Sequence, residues 1–202
     1  MRRLGLFGGT FNPPHLAHKR LSDEMRERLS LSEVLIMPTF TPPHKEAKSL
    51  ASCEDRLEMC RRTFSDDFYK VSDLEIKREG KSYTVDTLEA LKKIYPDDEI
   101  YLIIGSDMLL SFHKWYRYED ILSLCTLCVI SREDEKTAKL LIDYARDVLK
   151  RDVEKGEIII SHSAPVELSS TLIRERILKG EDVNAYLEKG TYEFIKEKGL
   201  YL

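Results

Sequence analysis

The stretch Leu4-Gly5-Leu6-Phe7-Gly8-Gly9-Thr10-Phe11-Asn12-Pro13-Pro14-His15-Leu16-Ala17-His18 begins as a short apolar run, halts at paired glycines and restarts as a helix. That order reads as a strand, a tight turn and a helix start. Gly8 and Gly9 permit positive φ and carry no Cβ, so a bulky anion could approach the backbone closely. Pro13 and Pro14 belong just ahead of the first helical turn, where a missing N–H costs nothing, and the helix is expected to open near His15 or Leu16. Its positive end then faces the loop. His15 and His18, three apart, share one side of the first turn beside free N–H groups. Such a turn can cradle a polyphosphate; the competing reading is an ordinary strand-to-helix turn whose histidines happen to be exposed.

With 42% hydrophobic and 34% charged residues, 202 residues suffice for one sizeable core, and a single domain over 1–202 is expected. The opening residues lack the apolar core of a signal peptide and no run reaches the length of a membrane span, so a cytoplasmic protein without a membrane partner is expected. Cys53, Cys60, Cys125 and Cys128 then read as reduced thiols. Cys125 and Cys128 open the apolar run TLCVIS, and residues three apart in a strand point to opposite faces, which argues against a metal site. A net charge of −4 argues against a general nucleic-acid binder, so an anionic small substrate must be held by local groups. No repeat, low-complexity tract or linker interrupts the chain, which favours a compact enzyme over an adaptor. A homo-oligomer is compatible with all of this.

Outward from the first turn, Ala17, Leu21, Met25 and Leu29 recur at helical spacing, and Val34 to Pro38 is a continuously apolar strand of the kind buried in parallel sheets. The loop Thr39 to Leu50 follows the carboxyl end of that strand, the edge where open α/β sheets place ligands. His44 and Lys45 are candidate phosphate ligands there, or solvated side chains in a polar loop. Ser52 to Asp55 offers a cap for a helix with Leu57, Cys60 and Phe64 on its buried stripe. Phe68 to Ile76 alternates as a strand and leads through a Gly80 turn into a helix with Val85, Leu88, Leu91 and Tyr95 inward. Thr84 stands at that helix start, as a cap or as part of a carboxylate-binding N-terminus. Glu99 to Gly105 is a further strand, with Asp107 beyond it either on a ribose hydroxyl or capping the next segment. Trp115 lies among aromatic and basic residues, as core or as a partly exposed platform. Strands are expected at Thr126 to Ser131 and Glu157 to Ser161, with a helix between them marked by Ala138, Leu141, Ile142, Ala145 and Leu149. Ser169, Ser170 and Thr171 then open a helix carrying Arg174 one turn in, a clamp for a second phosphate or a plain N-cap with a surface arginine.

Five stations cover nearly the whole chain: GGTFNPPHLAH at 8–18, PPHK at 42–45, SYTVDTL at 82–88, GSD at 105–107 and SSTLIR at 169–174. The chain resembles the bacterial nicotinate-nucleotide adenylyltransferases, within the superfamily that transfers adenylyl or cytidylyl groups. It lacks the Gly-Lys-Ser/Thr of a P-loop and the G-x-G-x-x-G of dinucleotide folds. The resemblance implies an α/β, Rossmann-like doubly wound, mainly parallel sheet with flanking helices. It also implies AMP transfer from ATP, with Mg2+ carried on the ATP, to nicotinate mononucleotide, giving deamido-NAD and pyrophosphate. His15, His18 and Arg174 would be the catalytic set, and with Ser170 would hold the triphosphate. Gly8, Gly9, Thr10, Phe11, Ser169 and Thr171 would complete the ATP site, with Gly105 and Asp107 at the adenosine. Lys45, Tyr83, Thr84 and Trp115 would hold nicotinate mononucleotide. Where the family often has Arg-Pro-Gly, this chain continues Ser131, Arg132, Glu133, Asp134, so no role is carried onto Arg132. The alternatives are another small adenylyltransferase, with nicotinamide mononucleotide or phosphopantetheine as acceptor, and a non-catalytic nucleotide sensor.

Overall fold

The structure is a computed structural model, and it describes residues 1–41, 50–131, 135–162 and 168–202. Along the chain run β1 (Arg3–Gly9), α1 (Leu16–Leu29), β2 (Glu33–Pro38), α2 (Cys53–Thr63), β3 (Tyr69–Val71), α3 (Leu74–Arg78), α4 (Thr84–Ile94) and β4 (Glu99–Gly105). They continue as α5 (Ser106–Leu109), α6 (Tyr118–Leu124), β5 (Thr126–Ser131), α7 (Glu135–Asp147), β6 (Ile158–His162), α8 (Ser170–Leu178) and α9 (Lys189–Lys198). The strands form one sheet in the order β3-β2-β1-β4-β5-β6. The pairs β1–β4, β2–β3, β4–β5 and β5–β6 are parallel. A strand order that grows outward from β1 in both directions, through helical crossovers, is the Rossmann-like doubly wound plan. Val34 to Pro38 and Ile100 to Ile104 are buried without interruption, because helices cover both faces of a parallel sheet. Among the described residues, no helix is long and apolar enough to cross a membrane.

The chain divides into two compact units: Met1–Phe7, Met25–Glu33 and Tyr83–Val166 in the first, Gly8–Glu24, Val34–Ser82 and Glu167–Leu202 in the second. In the first unit Leu4 is in register with Ile100 and Leu6 with Leu102, while Ile103, Cys128 and Ile159 align across β4, β5 and β6. Val85, Leu88 and Leu91 of α4 are buried as their spacing requires. On α7 the buried stripe narrows to Leu141 and Ala145, and Ile142, expected on it, is 42% exposed because it lies one helical step off that line. All four cysteines are free. Cys125 closes α6 rather than sharing β5 with Cys128, and burial pushes its thiol up to about 12. Asp98 takes three bonds from Arg2, from the backbone N at 2.9 Å, Nε at 3.0 Å and Nη2 at 2.7 Å; these bonds hold its carboxyl below the usual 3.8.

The second unit has its own core of Met59, Ile173, Val183, Leu187, Phe194 and Ile195. The Thr63 and Thr191 hydroxyls meet at 2.7 Å inside it, and the Arg62 guanidinium lies 4.6 Å over the Phe194 ring. Ser52 caps α2 by accepting from the Asp55 N–H at 3.0 Å, as its position suggested. The strand expected over Phe68 to Ile76 is corrected: β3 ends at Val71 and Leu74 opens α3. Ser72 explains the break. Its N–H makes a ladder bond to Ile36 O at 2.9 Å, while its hydroxyl accepts from Leu74 N–H at 3.3 Å, so a local side-chain-to-backbone bond just ahead of the capping residue Asp73 overrides the alternating pattern. Gly80 supplies the turn, at φ 73.

Candidate active site

In the second unit, β1 ends in Gly8 and Gly9, and α1 opens at Leu16 with His15 in the capping position. Neither glycine uses positive φ; Phe11 does, at φ 49. The positive-φ part of the glycine reading is therefore corrected. A Cβ on Gly9 would stand 3.1 Å from the Phe11 ring, so the glycine makes room for a phenylalanine folded back by its own left-handed turn. Phe11 in turn meets the edge of His18, with ring centroids 5.2 Å apart.

His15 is 3% exposed, and its carbonyl accepts the His18 N–H at 2.9 Å and the Lys19 N–H at 3.3 Å. The His15 N–H donates to His18 Nδ1 at 3.2 Å, a reciprocal cap in which the third helical residue reaches back to the capping residue. The bond fixes the neutral His18 ring as the Nε2–H tautomer, with Nε2 a donor. The two imidazoles stack at 3.7 Å between centroids, tilted by 28°. His18 thus offers a fixed donor at the positive end of a 14-residue helix.

α8 reaches the same turn. Ser169 caps it by accepting the Leu172 N–H at 3.1 Å, Ser170 Oγ donates to Pro13 O at 2.8 Å, and Arg174 Nη1 donates to Asn12 O at 2.8 Å. Arg174 Nη2 also donates to Thr171 Oγ1 at 3.4 Å. Two helix starts, with a serine, a guanidinium and two imidazoles, therefore converge on Asn12 to His18.

Arg56, which the motif reading missed, locks this turn from beneath. It is 0% exposed and donates through Nε to Ala51 O at 3.2 Å, Nη1 to Thr10 O at 2.9 Å and Nη2 to Phe40 O at 3.2 Å. Its Nη2 also lies 3.2 Å from Cys53 Sγ. The signal was present: Arg56, Met59, Cys60 and Thr63 are all buried on α2, at helical spacing, so the arginine occupies a core position. Asn12 was read only as part of a motif, yet its Oδ1 accepts from Ala51 N–H at 3.0 Å and Tyr201 O–H at 2.9 Å.

The remaining candidates belong to the first unit. Gly105 precedes α5, and a Cβ there would meet Asp107 Oδ1 at 2.6 Å, so the missing methyl leaves the Asp107 carboxylate its place. Thr84 is the first helical residue of α4 and Tyr83 its capping residue, which makes no side-chain cap bond. The Tyr83 ring meets Tyr116 at 4.7 Å between centroids, tilted by 42°, and Tyr116 is 55% exposed. Trp115 is half-buried against Phe112, at 4.9 Å between centroids. Arg117, at φ 54, pairs with Glu89 at 2.8 Å and Asp120 at 2.6 Å. His44, Lys45 and Arg132 lie outside the described residues.

A family model described as cytidylyltransferase-like matches residues 6–176, so fold and site together define a nucleotidyltransferase. A "Probable nicotinate-nucleotide adenylyltransferase" of Trichlorobacter lovleyi is 38% identical over 98% of this chain and 99% of its own length. One of the same name from Shouchella clausii is 37% identical over 100% and 97%. The chain belongs to the nicotinate-nucleotide adenylyltransferase family. In fold it also matches the solved Plasmodium falciparum nicotinic acid mononucleotide adenylyltransferase complexed with APC, at TM-score 0.74 and 19% identity over 100% of this chain and 98% of that one.

Proposed function

We propose that the chain transfers the AMP moiety of ATP to nicotinate mononucleotide, yielding deamido-NAD and pyrophosphate. The observation that carries this reading is the pair of bonds from Ser170 and Arg174 to the carbonyls of Pro13 and Asn12, immediately ahead of the stacked His15 and His18 rings. The Ser170 proton is already given to Pro13 O; the guanidinium and the imidazole N–H are the donors. Their chemistry suits phosphate oxygens.

In the transfer, an oxygen of the acceptor's 5′-phosphate attacks the α-phosphorus of ATP in line. The bond from that phosphorus to the bridging oxygen breaks, and pyrophosphate leaves with its electron pair. No covalent enzyme intermediate is required, and catalysis is positioning and charge stabilisation. His18 Nε2–H donates to the oxygens on which charge grows, its ring held by the His15 N–H. Arg174, anchored at Asn12, and the start of α1 hold the triphosphate. Among the described residues, no group of three or more His, Cys, Asp or Glu is arranged to hold a metal ion, and Mg2+ enters with ATP as part of the substrate. It neutralises phosphate charge when bound.

The preference for the acid rests on α4. A nicotinate carboxylate accepts from the N–H groups at the Thr84 helix start, whereas a nicotinamide turns its NH2 toward those donors or loses a bond. Tyr83 and Trp115 supply aromatic surface for the cationic pyridinium ring. The resemblance assigns Gly105 and Asp107 to the adenosine and Lys45, outside the described residues, to the acceptor nucleotide.

Pyrophosphate release from ATP with nicotinate mononucleotide tests the reading, with kcat/KM on the order of tenfold or more above that with nicotinamide mononucleotide. Equal efficiencies overturn the acid preference. Transfer to phosphopantetheine instead, or ATP binding without pyrophosphate release, overturns the proposed reaction.

A further inference from the structure

Tyr201 lies beyond α9 and outside every motif, yet it reaches the phosphate turn. Its backbone takes φ 69, a conformation bulky residues rarely adopt. The hydroxyl bonds Asn12 Oδ1 at 2.9 Å and lies 3.8 Å from Met59 Sδ. An amide oxygen has two lone pairs. On Asn12 one takes the Tyr201 O–H and the other the Ala51 N–H. Asn12 is 7% exposed, so water is a poor substitute for either donor. At its backbone the same residue carries Arg174, through Asn12 O at 2.8 Å. The side chain of Asn12 is thus pinned at one end of a short lever and the guanidinium hangs from the other. Burial pushes the Tyr201 phenol up, against the opposing charges of Arg174 and Arg56, so it stays an O–H donor throughout the neutral range.

We propose that Tyr201 is a positioning residue for the triphosphate: its hydroxyl orients Asn12, and Asn12 sets where the Arg174 guanidinium stands. The inference rests on the proposed function only in taking ATP as the ligand of this turn. It assigns Tyr201 to ATP and not to the acceptor nucleotide, because the acceptor candidates Tyr83, Thr84 and Trp115 share none of these bonds.

Tyr201→Phe removes one oxygen and leaves the ring in place, and ATP alone is the probe, its dissociation constant measured by calorimetry. Leaving a buried acceptor half-satisfied should weaken ATP binding by about five- to thirty-fold, with a matching rise in KM for ATP and KM for nicotinate mononucleotide within about twofold of wild type. In an Arg174→Ala background the same change should cost nothing further, since the lever then carries no guanidinium. A purely structural tyrosine would lower the melting temperature and the active fraction at unchanged ATP affinity. That result overturns the proposal, as does a full additional loss in the Arg174→Ala background. If wild type binds ATP but transfers nothing, the proposed reaction falls while the affinity comparison still decides the role of Tyr201; if wild type binds no ATP, both fall.

Discussion

Replacing Arg56 by methionine isolates the contribution of one buried guanidinium. Methionine is unbranched and flexible, so it fills much of the same space while donating nothing. The carbonyls of Ala51, Thr10 and Phe40, at 3.2, 2.9 and 3.2 Å from the guanidinium, then lose a charged donor in a place where Arg56 itself is 0% exposed. Hydrogen bonds to a charged group are worth about 1.5–3 kcal/mol each by mutation, and the low end suits three bonds that share one desolvated cation, giving about 4.5 kcal/mol. At about 2–4 °C per kcal/mol for a chain of this length, the melting temperature should fall by about 9–18 °C, read by calorimetry. Arg56→Lys keeps the charge, but a single ammonium cannot span three diverging carbonyls, so it should recover less than half of the loss. Because Thr10 follows β1 and Phe40 follows β2, residual transfer well below the melting point should fall as well. A methionine variant melting within about 3 °C of wild type, or a lysine variant of wild-type stability, would refute the reasoning.

Gly105→Ala places a Cβ 2.6 Å from Asp107 Oδ1; the carboxylate swings aside, the fold persists, and ATP affinity should fall by about tenfold if Asp107 serves the adenosine. Unchanged affinity in calorimetry removes Asp107 from that role. Asp98→Asn tests linkage. The Asp98 carboxyl is held below its ordinary 3.8, first by the Arg2 side-chain bond, so its contribution to stability is complete above that ordinary value and disappears as pH falls through the folded one. Urea midpoints of wild type should therefore exceed those of Asp98→Asn above about pH 5 and converge with them in acid. A parallel acid limb in the variant contradicts the assignment.

Much of the fold was legible because the decisive strands are continuous apolar runs. Val34 to Pro38 and Thr126 to Ser131 can be little else at that length, and the parallel sheet follows from their lack of alternation. The start of α1 was legible from Pro13 and Pro14, and the α8 cap from Ser169. What failed depended on a choice between local and long-range bonds. Phe68 to Ile76 alternates like a strand, but the Ser72 hydroxyl takes the Leu74 N–H where α3 starts. Gly8 and Gly9 point to positive φ, whereas the turn is made by Phe11 and Gly9 clears space for its ring. Arg56 is readable from its core-facing spacing, yet an arginine beside Asp55 and Glu58 looks like helix surface. Nothing in the spacing of Asn12 and Tyr201, 189 positions apart, announces their hydrogen bond. The gathering of His15, His18, Ser170 and Arg174 was expected only through the resemblance; the bonds to Asn12 and Pro13 give it a physical cause.

The turnover of His18→Ala with saturating ATP and nicotinate mononucleotide bears most directly on the phosphate turn as the site of AMP transfer. The variant loses the cap on His15 N–H, worth about 1 kcal/mol, so it remains folded at assay temperature. Without the fixed Nε2–H donor, kcat should fall by on the order of a hundredfold or more. Near-normal turnover in a folded His18→Ala enzyme would contradict the site.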